Sequence, residues 1–238
     1  MQRHLGLLAA LAALSLLLIA PQATAQIKQA KSPSLGALKE AVQKNPKDAE
    51  AYYKLGLAYS QQGNDAEAIK ALDQAVKLKP NFQAARQSLG DEYDRRGIAL
   101  AENNQFRDAE NAFAKAIKAN PDDNKPYFNL GVTYGKEGRW ADAATAFQQS
   151  LERDPNNPYA RYNLGMTYLM MDRESTTPEQ YRANRVAALE QYRALTNLGS
   201  PMAGDLFYVI SNPQAAKYPS SPAWQAPPQS QGQPPGPP

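Results

Sequence analysis

A period of 34 residues runs through the middle of the chain. Leu-Gly pairs stand at Leu55-Gly56, Leu89-Gly90, Leu130-Gly131 and Leu164-Gly165. Each glycine is followed three residues later by a tyrosine: Tyr59, Tyr93, Tyr134 and Tyr168. Each leucine is preceded nine residues earlier by a proline: Pro46, Pro80, Pro121 and Pro155. The spacings are 34, 41 and 34 for all of these markers. Self-similarity at this period confines a chain to stacked units, because one small unit cannot bury its apolar face alone.

Within a unit the pattern is helical. Leu55, Gly56 and Tyr59 share one helix face. Ala68-Leu72-Ala75, Ala109-Phe113-Ala116 and Ala143-Phe147-Ser150 repeat a four-then-three spacing that suits a second helix. Gly56 removes a side chain where that second helix approaches. Gly63-Asn64 supplies a turn, since both residues tolerate left-handed geometry. Pro80 stops the second helix at or before Lys79.

Leu-Gly-x-x-Tyr, then Ala-x-x-x-Phe, then Pro, resembles the tetratricopeptide repeat family. The resemblance covers about residues 34–200. It implies an all-α fold, a right-handed α-solenoid of stacked helix–turn–helix repeats with capping helices. The repeats then fall at 49–82, 83–123, 124–157 and 158–200. Residues 34–48 read as an N-terminal capping helix and 201–212 as a C-terminal one, which hides the apolar end of the array.

Two units are too long. Tyr93 to Ala109 is sixteen residues where the first and third units have nine, and the turn signal Asn103-Asn104 keeps its distance from Ala109. The seven extra residues therefore lengthen the first helix by two turns, or roughly 10 Å. In the last unit Thr177-Pro178-Glu179-Gln180 reads as an N-cap, a proline at the first helical position and a capping partner. The second helix of that unit is expected to start early.

The termini differ in kind. Residues 1–25 carry Arg3, an apolar run Leu5–Ala20, Pro21 and the small-residue site Ala23-Thr24-Ala25. This is the pattern of a secretory leader cut between Ala25 and Gln26, followed by a flexible linker at 26–33. The expected location is outside the cytoplasm, periplasmic or extracellular, with a bacterial envelope favoured because no Asn-x-Ser/Thr site exists. After cleavage no membrane contact is expected. The other reading keeps the leader as an anchor and makes the array a spacer or assembly factor of an envelope complex. Residues 213–238 hold nine prolines among Gln, Ser and Gly, which predicts a disordered tail. Self-association through that tail, around Pro222-Ala223-Trp224, is one reading; a plain solvated tail is the other.

Composition narrows the chemistry. The chain has no cysteine, and its one histidine is His4, inside the leader. Metal sites and catalytic triads that need those residues are excluded, no cofactor is expected, and no nucleophile–base pair stands out. The reading is non-enzymatic. A net charge of +3 gives no basic stripe for nucleic acid. Asp91-Glu92 and Asp122-Asp123 read as solvated or helix-end charge.

The resemblance implies that the first helix of each repeat lines a concave groove that binds a protein or peptide. The groove set is Tyr53, Leu57, Phe128, Asn129, Val132, Tyr162, Asn163 and Met166, with Lys54, Gln87, Ser88, Asp91, Asp94, Lys125, Tyr159 and Met170 at the other groove positions of the same helices. Asn129 and Asn163 take the place where family members bond a peptide backbone, and an amide can both donate and accept. Tyr53 and Leu57 fall where some members carry a Lys/Asn clamp for a C-terminal carboxylate. That ligand is therefore argued against, in favour of apolar or aromatic segments.

Overall fold

The computed structural model describes residues 33–172 and 177–212. The leader, all but the last residue of the linker, and the proline-rich tail lie outside the described residues. Among those described there are ten helices and no strands. They are α1 (Leu35–Lys44), α2 (Ala49–Gln61), α3 (Asp65–Leu78), α4 (Gln83–Glu102), α5 (Phe106–Ala119), α6 (Lys125–Lys136), α7 (Trp140–Arg153), α8 (Pro158–Asp172), α9 (Pro178–Asn197) and α10 (Met202–Ser211). None is long and apolar enough to cross a membrane.

Helices α2 to α9 pair as hairpins, α2 with α3, α4 with α5, α6 with α7 and α8 with α9, and each hairpin stacks on the next. The architecture is a right-handed α-solenoid with α1 and α10 at its ends.

Local sequence sets the helix limits. The side chains of Ser34, Asp48 and Thr177 each accept a hydrogen bond from a backbone N–H three residues on, satisfying donors left open at a helix start. Pro178 opens α9, where its missing N–H costs nothing. Four helices end alike. Asn64, Gln105, Arg139 and Ser200 each donate a backbone bond to the carbonyl five residues back, at 2.9–3.0 Å. The residue before each donor is left-handed: Gly63, Asn104, Gly138 and Gly199, with φ of 72°, 59°, 75° and 65°. Asn104 is the one non-glycine there, and asparagine tolerates that region best after glycine.

The hairpins of the first three repeats each close on a glycine notch. A Cβ added at Gly56 would sit 2.6 Å from Leu72, and one at Gly131 would sit 2.6 Å from the Phe147 ring. Leu72, Phe113 and Phe147 are fully buried, and each such side chain contributes about 1.5–3 kcal/mol by leaving water.

The two long units close differently from their sequence markers. In α4 the residue facing Phe113 is Gly97, where a Cβ would come within 2.5 Å; Gly90 faces Asn120 at 3.3 Å, at the far end of α5. The seven-residue insertion has slid α5 up α4 by one heptad, about two turns. In the last unit the notch at Gly165 is filled not by α9 but by Leu206 of α10, at 2.7 Å. Helix α10 is thus part of the fourth repeat's core, beyond the covering role expected of it.

Candidate inner-face binding site

First helices of successive repeats touch one another, α2 with α4, α4 with α6 and α6 with α8, while the second helices stand further apart. An array curves toward the side on which its helices are closer. Helices α2, α4, α6 and α8 therefore form the inner layer.

Burial divides the expected groove set. Tyr53, Leu57, Asn129 and Val132 are half-buried and reach the surface. Phe128, Tyr162, Met166 and Asn163 are buried, at 3%, 5%, 5% and 1% exposure, and offer almost no surface. This corrects the expectation that all eight line an open groove. Phe128 packs on the Phe147 ring at 5.6 Å, in a cluster with Ala143, Ala160 and Leu164. Tyr162 and Met166 lie in a cluster with Leu195, Leu206 and Ile210. Tyr53 leans on Phe82 at 5.0 Å. Aromatic residues at this place in the first, third and fourth repeats (Tyr53, Phe128 and Tyr162; the second has Gln87) fill the seam toward the helix that follows, where burial of a large ring gains most.

The polar residues of the inner face pair across the seam between the second and third repeats. Lys125 Nζ donates to Asp91 Oδ1 at 3.0 Å and lies 3.5 Å from Asp123. Asn129 Nδ2 donates to Asp94 Oδ1 at 2.9 Å. The sequence held a signal for both pairs: Lys125 stands 34 residues after Asp91, and Asn129 stands 35 after Asp94. Asn163 has no such partner. Thirty-five residues before it stands Phe128, a ring with no acceptor or donor to match. Its Nδ2 instead donates to Tyr159 O at 2.9 Å, and its Oδ1 is buried with no hydrogen-bond partner. An acceptor left so costs about 1–3 kcal/mol. Glu92, expected as solvated charge, is 3% exposed and ion-paired with Arg95.

Burial pushes the Asp94 carboxyl up to about 6 from its ordinary 3.8; neighbouring Asp123 and Asp91 add to this, while the Asn129 bond and Lys125 oppose it. The folded chain then holds a proton that the unfolded chain has released, so this group's contribution to stability falls as pH rises from about 4 to 6 and stays low above. Asp94→Asn is expected to stabilise the fold at about pH 7.5 and to gain less at about pH 4.5. Urea midpoints at the two pH values check this; an equal gain at both would refute it.

Four family models match the chain. Models described as "Tetratricopeptide repeat" cover residues 49–82, 95–158 and 146–177, and one described as "TPR repeat" covers 34–63. The chain is a tetratricopeptide repeat protein. Among solved structures, tetratricopeptide-type solenoids are similar in fold. "Crystal structure of MamA" is 21% identical, covers 77% of this chain and 90% of its own, and has a TM-score of 0.44. "MamA 41-end from Desulfovibrio magneticus RS-1" is 22% identical over 69% of this chain and 83% of its own, at 0.44. "Crystal structure of YrrB: a TPR protein with an unusual peptide-binding site" is 20% identical over 76% and 94%, at 0.42. No curated protein matches. Tetratricopeptide repeat proteins are generally non-catalytic scaffolds for protein or peptide partners. Among the described residues of this one, no group of His, Cys, Asp and Glu is placed to hold a metal ion.

Proposed function

We propose that this protein is an exported, non-catalytic scaffold whose inner helix layer binds a protein or peptide segment. One observation carries the reading. The seam between α4 and α6 brings Asp91, Asp94, Lys125 and Asn129 together, with half-buried Val132 near them in sequence and Tyr53 and Leu57 on α2. These side chains stand on packed helices, so a ligand meets a preformed surface and little entropy is lost in ordering it. Apolar groups of the segment would rest on Tyr53, Leu57 and Val132. Its backbone would exchange hydrogen bonds with the amide of Asn129, whose Oδ1 is free to accept. The leader pattern at 1–25, with cleavage before Gln26, supports export.

Asn129→Ala together with Lys125→Ala is expected to weaken partner binding by about tenfold or more, as loss of two polar contacts would. Far-UV circular dichroism should be unchanged, since neither side chain is in the core. The measurement is capture from an envelope extract of the source organism, followed by titration of the captured partner. Unchanged affinity in the double variant refutes the inner-face site. Edman sequencing of the exported form tests the location: a start at Gln26 in the soluble fraction supports it, and an intact leader in the membrane fraction favours the anchored spacer.

A further inference from the structure

Every first helix in this array carries glycine and, three residues on, an aromatic ring. In the repeats these two do separate jobs. The aromatic packs back on the previous second helix: Tyr93 lies in the cluster with Ile69 and Leu72 of α3, and the Tyr168 hydroxyl accepts a hydrogen bond from Gln148 of α7 at 2.8 Å. The glycine makes room for a large side chain from a following helix, as Gly56 does for Leu72 and Gly131 for Phe147.

Helix α10 has the same pair, Gly204-Asp205-Leu206-Phe207. The Phe207 ring lies 5.2 Å from Tyr192 of α9, so it packs back on the previous second helix as Tyr93 and Tyr168 do. The inner face of α10, at Ala203, Leu206 and Ile210, is buried against the fourth repeat. By its contact with Tyr192, α10 resembles the first helix of a fifth repeat, while its Leu206 also fills the Gly165 notch of the fourth. Its glycine, however, is empty: a Cβ at Gly204 would meet nothing within 4 Å. Around that notch Phe207 is 48% and Tyr208 61% exposed, whereas the outer face of a terminal helix is ordinarily polar. The face therefore continues the contact by which a first helix takes up its own second helix, and no described helix covers it.

The residues that follow lie outside the described ones, and their composition does not favour a further helix. Segment 213–238 contains nine prolines, and an interior proline costs a helix about 3 kcal/mol. The stripe on α10 is instead complementary to itself. Gly204 and Tyr208 are four residues apart, one turn on the same face, so one is a hole and the other a knob. Two such stripes set antiparallel place each knob over the other's hole, as a two-fold contact requires. The helix carries one charge, Asp205, so few like charges meet.

We propose that a second copy of this chain covers the face, the two α10 helices crossing antiparallel with Tyr208 of each copy in the Gly204 notch of the other. Each copy then supplies a helix that covers the other's notch. This is distinct from the inner-face site, which it leaves open.

Sedimentation equilibrium of the purified protein tests it, with three variants. Tyr208→Ser removes the knob. Gly204→Gln fills the hole, and it replaces glycine inside a helix, so folding is not at risk. The third chain ends at Asn212. The wild-type protein is expected to be a dimer at about 100 µM, where an interface of ordinary affinity is saturated. Either substitution should weaken the dimer about 30-fold, as loss of a central aromatic anchor or its pocket does, with helicity unchanged. The chain ending at Asn212 should dimerise at least as well as wild type. A wild-type monomer at that concentration overturns the proposal, as does a dimer indifferent to both substitutions. A monomer that dimerises only when the tail is removed assigns the face to residues 213–238 and overturns it too.

Discussion

Gly131→Leu is expected to destabilise the array more than any surface substitution in it. A Cβ at this position would lie 2.6–2.8 Å from three atoms of the Phe147 ring. That ring cannot yield: it is 0% exposed, wedged against Phe128 at 5.6 Å and packed with Ala143 and Leu164. Overpacking a tight core costs about 1–3 kcal/mol, and sometimes more, and a leucine adds three carbons beyond the clashing one. The third repeat also joins the two halves of the stack, and in such arrays stability depends on each neighbour interface. A urea titration is expected to show a lower midpoint or a split transition, with the halves melting apart. Gly36→Ala is the control. Its nearest neighbour would be Ser34 Oγ at 3.9 Å, so helix propensity dominates and a gain of at most about 1 kcal/mol is expected at this first-turn position. A Gly131→Leu transition that overlays the parent would disprove the assigned helix contact.

Leu206→Ala is expected to have the other large effect. Leu206 is fully buried, fills the notch at Gly165 and lies in the cluster that includes Tyr162, Met166, Leu195 and Ile210. Truncating a buried leucine costs about 2–5 kcal/mol, and the upper part of that range applies where the surroundings cannot collapse. Backbone atoms of α8 line one side of this space, so collapse is limited. The expected result is loss of α10 and fraying of α9, seen as early hydrogen exchange across 178–211 while 49–153 stays protected. A detachable cap would behave otherwise: exchange would rise in α10 alone. Such an outcome would show that the fourth repeat holds itself together without Leu206.

How much of this was legible in the chain follows from where each property resides. The markers Leu-Gly-x-x-Tyr, Ala-x-x-x-Phe and Pro name helices, turns and the side chains that meet within a hairpin, all over distances of about 34 residues. The same local spacing implied an α4 lengthened by about two turns, which runs Gln83–Glu102, and an α9 that starts at Pro178 behind the Thr177 cap. The periodic sequence therefore determined the fold class, because the contacts that close a repeat come mostly from within it.

Exposure does not reside there. Asn129 and Asn163 occupy the same place in their repeats, yet one bonds Asp94 across the seam and the other is buried with an unpaired oxygen. The difference is set by the preceding repeat, which offers a carboxylate in one case and stands with Phe128 in the other. Phe128, Tyr162 and Met166 were expected on an open face because the family resemblance assigns their positions to the groove; the helices packed against them bury them. The extra residues of the second and last units shift that approach. They move the working notch from Gly90 to Gly97 and hand the notch at Gly165 to Leu206 of a later helix. A helix period fixes which residues share a face, and that much the sequence determined by itself. Which faces are covered is fixed by how far one repeat slides along another, and only the tertiary packing of large side chains into glycine notches decides that distance.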